Sequence, residues 1–99
     1  MTINKLLSGD SLTLAVEVRL DTLTAPELEA EINQSAEGIS SLVLDFAKLD
    51  YVSSAGLRVL LSAHKKMQAK GGMKIVHINE IVREVFEVTG FANILNIAD

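Results

Sequence analysis

Two adjacent hydroxyls, Ser53 and Ser54, are the side chains of this 99-residue chain best placed to do chemistry, because of what flanks them. The apolar run Leu42-Val43-Leu44-Asp45-Phe46 arrives ahead of them as a strand. An amphipathic helical pattern leaves behind them, with Ala55 and Gly56 at the tight junction between. A helix start carries backbone N–H groups without intrahelical partners, so a serine there can cap the helix or carry a phosphate. No other constellation matches it. His64 and His77 stand apart, on a predicted helix and a predicted strand, without a His or Cys companion at metal-ligand spacing, and read as surface or partly satisfied residues. The carboxylates read as solvated helix faces. Neither a phosphate-loop nor a dinucleotide-binding glycine pattern occurs, and Lys70-Gly71-Gly72 reads as a helix stop. Ser54-Ala55-Gly56 lacks the first glycine of a nucleophile elbow. The site is thus a helix entrance, and an enzymatic reading has little to stand on.

Composition narrows the classes further. Ninety-nine residues, 48% hydrophobic and 22% charged, suit one domain with a single core over residues 1–99, built from Leu, Ile and Val in a chain that has no Trp. A net charge of −4 without a basic run argues against nonspecific nucleic-acid binding. The absence of cysteine excludes disulfides, thiolate metal sites and cysteine nucleophiles. Met1–Gly9 lacks the apolar region of a signal peptide, and no apolar run reaches the roughly 18 residues of a membrane span. A soluble cytoplasmic domain without membrane insertion is expected.

The elements that must position the two serines follow from periodicity. Thr2 to Leu7 is a strand candidate ended by Ser8-Gly9-Asp10. Leu12, Leu14, Val16, Val18 and Leu20 then alternate with more polar residues, which predicts the second arm of a hairpin with one buried face. Thr24 with Glu27 matches a capping box, with Pro26 in the first turn, and opens a helix carrying Leu28 and Ile32 inward until Gly38. Ser41 to Phe46 predicts a central strand. After the serine junction, Leu57, Leu60, Leu61 and Met67 mark the inward face of a helix with Lys65, Lys66 and Lys70 late in it. Met73 to Ile78 predicts another strand. Asn79-Glu80 opens a third helix with Ile81, Val82, Val85, Phe86 and Thr89 inward and Arg83, Glu84 and Glu87 outward, closed by Gly90. Phe91 to Ile97 adds a short final element. The order ββαβαβα predicts an α/β fold with a mixed sheet and helices packed on it.

At Val52-Ser53-Ser54-Ala55-Gly56-Leu57 the chain resembles the bacterial anti-sigma-factor antagonists, the stand-alone form of the STAS domain. That family's pattern here is an apolar strand, an aromatic or apolar pair, then Asp-Ser-Ser/Thr-Gly-Leu. Tyr51-Val52 fills the pair, Ser53 takes the Asp position, Ser54 the phosphoacceptor and Ala55 the second hydroxyl, while Gly56 and Leu57 match directly. Arg19-Leu20-Asp21 with Ala25 resembles the Gly-x-Leu-Asp-x-x-x-Ala segment, with Val18 where the glycine would lie. Ile81 to Phe91 resembles the family's last helix.

The resemblance spans nearly the whole chain and implies a STAS-like single domain with a mixed sheet of four to five strands. It also implies a non-enzymatic switch. In such a switch the unphosphorylated protein binds an anti-sigma factor that is often a serine kinase of the histidine-kinase-like ATPase type. Phosphorylation of Ser54 would break that complex, and a PP2C-type phosphatase would reset it. Asp21, Ser53, Ser54, Gly56 and Arg58 would face the partner, with Ser53 carrying the capping. Ala55 forbids a second phosphorylation, and Ser53 removes a carboxylate beside the first. A constitutive STAS subunit docked on an ABC-type lipid transporter ATPase is the alternative. A small nucleotide-binding protein is a third reading, disfavoured by the missing phosphate loop.

Overall fold

The alternation of Leu12, Leu14 and Val16 sets one face of the strand around which the sheet is built, β2 (Ser11–Leu20), and all three side chains are fully buried. In the computed structural model, which describes residues 1–98, β2 pairs antiparallel with β1 (Thr2–Ser8) across a two-residue turn where Gly9 takes a φ of +62°. The first half of β2 pairs in parallel with β3 (Ser41–Asp45), from Ser11↔Ser41 to Ala15↔Asp45. Its far end pairs in parallel with β4 (Leu49–Val52). β5 (Met73–Val76) lies beside β3, and the short β6 (Ile97–Ala98) beside β5. The six-stranded mixed sheet runs β1-β2-β3-β5-β6, with β4 continuing off β2.

Three helices complete the fold: α1 (Ala25–Ser35), α2 (Ser54–Gln68) and α3 (Glu80–Thr89). Short 3-10 turns follow α1 at Ala36–Gly38 and α3 at Phe91–Asn93. α1 packs beside α2, α2 against β4 and β5, and α3 against β4. Leu12, Leu14, Leu42, Leu44, Phe46 and Ile75 line the covered face of the sheet, and Leu28, Leu60, Met67, Val82 and Phe86 answer from the helices. At about 1.5–3 kcal/mol for each fully buried side chain of this size, this layer supplies the main driving force for folding. Lys70 reaches back from beyond α2 to the carbonyls of Ala36 and Ile39 at the end of α1, and Lys66 bonds Asn33.

Several expectations change in detail. The sheet has six strands rather than four to five, because Leu49–Val52, expected as part of the junction, is a strand of its own and Ile97–Ala98 adds the sixth. β3 is central but covered on one face only, its residues alternating half-buried and buried. Val18 leaves the buried row: the register shifts between Val18 and Arg19, Val18 adopts a φ of +80°, and its side chain is 51% exposed. A β-branched residue there stores strain of about 1–3 kcal/mol. The Thr24–Glu27 capping box does not form; the Thr24 hydroxyl is already used, donating to the Arg19 carbonyl at 2.9 Å and accepting the Asp21 N–H at 2.8 Å.

On α2 the buried set gains Val59 and Ala63, while Leu61 is only half-buried. On α3 only Val82 and Phe86 are buried. Ile81 is 60% exposed and Thr89 is exposed, whereas Arg83, expected outward, is half-buried. A ten-residue helix presents one i, i+4 stripe to the sheet, and Ile81 lies about 100° around the axis from Val82.

Candidate functional site

Extended backbone at Ser53 (φ −93°, ψ 175°) turns β4 into α2, and the Ser53 Oγ accepts the Gly56 N–H at 3.3 Å. The Ser53 carbonyl accepts the Leu57 N–H at 2.9 Å, and the Ser53 N–H donates to the Leu20 carbonyl at 2.8 Å. Ser53 therefore closes the helix start and ties it to the end of β2, as expected of the capping residue. Ser54, the first helical residue, is exposed, and its hydroxyl makes no hydrogen bond among the described residues. Adjacent serines have taken opposite roles, one consumed by the fold and one left free at the positive end of a fifteen-residue helix.

Gly56 explains how this helix start comes so close to β2. A Cβ placed there would lie 2.7 Å from Leu20 Cγ and 2.9 Å from the Leu20 carbonyl oxygen. A side chain would thus push the entrance of α2 off the strand end to which Ser53 is bonded. Gly56 is buried and exposes nothing to a partner; it sets the distance between the two segments of the site.

Those segments meet at Leu20, and Asp21 follows directly. Its Oδ1 accepts the Leu23 N–H at 3.0 Å and the Thr24 N–H at 3.1 Å, and its Oδ2 accepts Arg19 Nε at 3.3 Å. The Thr24 backbone N–H, first among these donors, holds the Asp21 carboxyl below its ordinary pKa. The carboxylate is turned into its own loop, in the position of an Asx turn leading into α1. Arg58 lies four residues after Ser54, hence on the same side of α2, and is exposed without an ion pair among the described residues.

Three further exposed residues stand on the elements that carry these side chains. Arg19 sits over the Tyr51 ring, 4.7 Å from its centroid, because the two are register partners across β2 and β4. Leu23, at the tip of the Asp21 loop, is 85% exposed. Only the strand register reveals the Arg19–Tyr51 stack, and an isolated Leu between two threonines gives no periodic signal. The histidines stay apart from these residues in contact terms: His77 Nδ1 pairs with Asp45 at 3.1 Å, and His64 stands beside Gln68 on α2. Among the described residues no group of three or more His, Cys, Asp or Glu could hold a metal ion, and no helix is long and apolar enough to cross a membrane.

The profile of the STAS domain family matches residues 2–99. BtrV of Bordetella bronchiseptica, which bears the name anti-sigma factor antagonist, is 42% identical over 82 residues, covering 81% of this chain and 71% of that protein. The anti-sigma-B factor antagonist of Listeria monocytogenes is 30% identical over 91 residues, covering 89% and 79%. Among solved structures, the anti-sigma factor antagonist SpoIIAA in its unphosphorylated form superimposes with a TM-score of 0.83 at 17% identity, over 99% of this chain and 89% of that one. The phosphorylated form of the Bacillus SpoIIAA superimposes with a TM-score of 0.76 at 16% identity, over 99% and 92%.

Proposed function

This chain belongs to the STAS domain family, and on that premise we propose that it is an anti-sigma factor antagonist whose partner binding is switched by phosphorylation of Ser54. The observation that carries the reading is the division of labour at the helix entrance: Ser53 is bonded into the fold, while the Ser54 hydroxyl is exposed and unengaged among the described residues. The names of the sequence relatives, and the existence of SpoIIAA in both forms, support the same reading.

On this reading the unphosphorylated surface around Ser54, with Arg58 and the Asp21 loop, binds an anti-sigma factor and so frees the sigma factor. The anti-sigma factor is itself a serine kinase of the histidine-kinase-like ATPase type, and a PP2C-type phosphatase resets the chain. A phosphate on Ser54 adds about −1.5 to −2 charge and three acceptor oxygens. At the first residue of α2 the helix dipole and free N–H groups accommodate that charge, so the fold stays as it is and the cost falls on the interface. A penalty of about 3 kcal/mol there weakens binding roughly 150-fold, at about 1.4 kcal/mol per decade. The family's Asp position is filled by Ser53, which still caps because Ser and Asp serve that position about equally well. What changes is charge beside the acceptor, and with it the preference among kinases.

The test is site-resolved mass spectrometry after incubating the chain with ATP, Mg²⁺ and extract from its own cells, with Ser54→Ala alongside. A single phosphate on Ser54, absent from the variant, is the expected result. No phosphate while a positive control is modified overturns the switch and leaves a constitutive docking subunit. Phosphate on Ser53 would mean that the capping serine is the acceptor.

A further inference from the structure

α3 is apolar on two sides. Val82 and Phe86 are buried against the core, yet Ile81 is 60% and Val88 79% exposed, and Val85 between them is half-buried. Positions 81, 85 and 88 follow an i, i+4, i+7 spacing, which brings them into one stripe along the outer side of the helix. Glu84 and Thr89 stand beside this stripe on the same helix. Single scattered apolar side chains at the surface need no explanation; a contiguous exposed stripe is what an interaction surface is made of.

The charges around the stripe say what fits it. Glu80, Glu84 and Glu87 are all exposed on α3, whose sole basic residue, Arg83, is half-buried. A second copy of this chain would meet the stripe through a two-fold axis, setting the same glutamates against their equivalents, and an anionic lipid surface would be repelled in the same way. A partner carrying lysines or arginines beside its own apolar stripe gains on both counts. The ten residues of α3 span about 15 Å, matching a partner helix of roughly three turns.

We propose that the outer stripe Ile81–Val85–Val88 of α3 is a second docking surface, which receives a basic amphipathic helix of another protein. It rests on residues separate from Ser54 and stands whether or not Ser54 is phosphorylated. A chain with two such surfaces can hold one partner at α3 while the Ser54 surface is switched.

The test titrates the full ¹⁵N-labelled chain with an 18-residue helical peptide bearing a leucine stripe flanked by lysines, and with its counterpart bearing glutamates in place of the lysines. The expected result is amide shifts confined to residues 80–89, at least ten-fold weaker binding of the glutamate peptide, and at least ten-fold weaker binding of the lysine peptide to I81S/V88S. Both substituted side chains are largely exposed, so the spectrum of that variant should otherwise match the parent. Ser54→Ala should bind the lysine peptide as the parent does. Shifts scattered over the surface, a loss smaller than ten-fold in either comparison, or concentration-dependent dimerisation abolished by I81S/V88S would each overturn the proposal, the last by showing that a second copy occupies the stripe.

Discussion

The entrances of α1 and α2 use the same chemical vocabulary and spend it differently. At α1 the polar groups that lead into the helix bond one another: the Thr24 hydroxyl joins Arg19 and Asp21, and the Asp21 carboxylate takes two backbone N–H groups and Arg19. At α2 one serine closes the helix, and the hydroxyl of its neighbour makes no bond among the described residues. A hydroxyl at a helix start is therefore informative only once the bonds around it are counted. The bonded entrance holds the loop into α1 in shape, and on the proposed reading the entrance with a spare hydroxyl is the one that is modified. The two are joined at Leu20, whose carbonyl accepts the Ser53 N–H and whose side chain lies against Gly56.

That joint is where the largest effect is expected. Gly56→Ala brings a Cβ within 2.7 Å of Leu20 Cγ and 2.9 Å of the Leu20 carbonyl oxygen. Overpacking of this kind costs about 1–3 kcal/mol, while the better helix propensity of Ala returns at most about 1 kcal/mol. Thermal unfolding should show a lower midpoint, by about 4–8 °C per kcal/mol lost in a domain of this size. An unchanged or raised midpoint would mean that the two entrances are not held together by close approach, and the comparison would fail at its base.

Asp21→Asn addresses the bonded entrance. The amide oxygen can still accept from Leu23 or Thr24, but the charge that strengthens those bonds and the Arg19 contact is gone, so a lower stability than the parent's is expected near neutral pH. The sign with pH follows from the depressed carboxyl. A group whose folded pKa lies below its unfolded value of about 3.9 stabilises fully above that value, and the contribution disappears as pH falls through the folded pKa. The gap between parent and variant, measured by denaturant unfolding, should be constant above about pH 5 and shrink below about pH 4. A gap that persists unchanged into acid would place the role of Asp21 outside its own loop.

How much of this was legible in the sequence depended on whether the signal was local. The junction at Ser53–Ser54–Gly56 was readable because an apolar run at Leu42–Phe46, adjacent hydroxyls with a glycine, and an amphipathic helical pattern follow one another, although the strand that enters it is β4 and not that run. The caps at Ser53 and Asn79 and the left-handed Gly90 followed from local backbone chemistry. The capping box at Thr24 matched its pattern and still failed, because its hydroxyl is taken by the competing local partners Asp21 and Arg19, three and five residues back. Val18 is the more instructive miss. Its place in a run of alternating apolar residues predicted burial, yet it stands where the family pattern has glycine, and its φ of +80° is a glycine conformation. The β2–β4 pairing that imposes this bulge is non-local, as is the Arg19–Tyr51 stack that follows it. The four-residue β4 was too short and too near the junction to register as a strand of its own.

The smallest expected effect separates the two serines. Ser53→Ala removes the acceptor for the Gly56 N–H and should cost about 1 kcal/mol, the usual value of an N-cap, although the 3.3 Å bond places it toward the weaker part of the range of about 0.5–2 kcal/mol. Ser54→Ala removes a hydroxyl with no partner and introduces the best helix former, so its unfolding midpoint should stay within about 0.5 kcal/mol of the parent. Ser53→Asp should retain the cap, and by placing a carboxylate at the N-cap of α2 it should leave stability level or slightly raised. Chemical denaturation of the three variants in one buffer, at low and at moderate salt, resolves differences of this size when the slopes agree. Equal losses at 53 and 54 would show that both hydroxyls serve the helix. In that case phosphorylation at 54 would have to disturb the fold itself, and an effect confined to the interface could no longer be maintained.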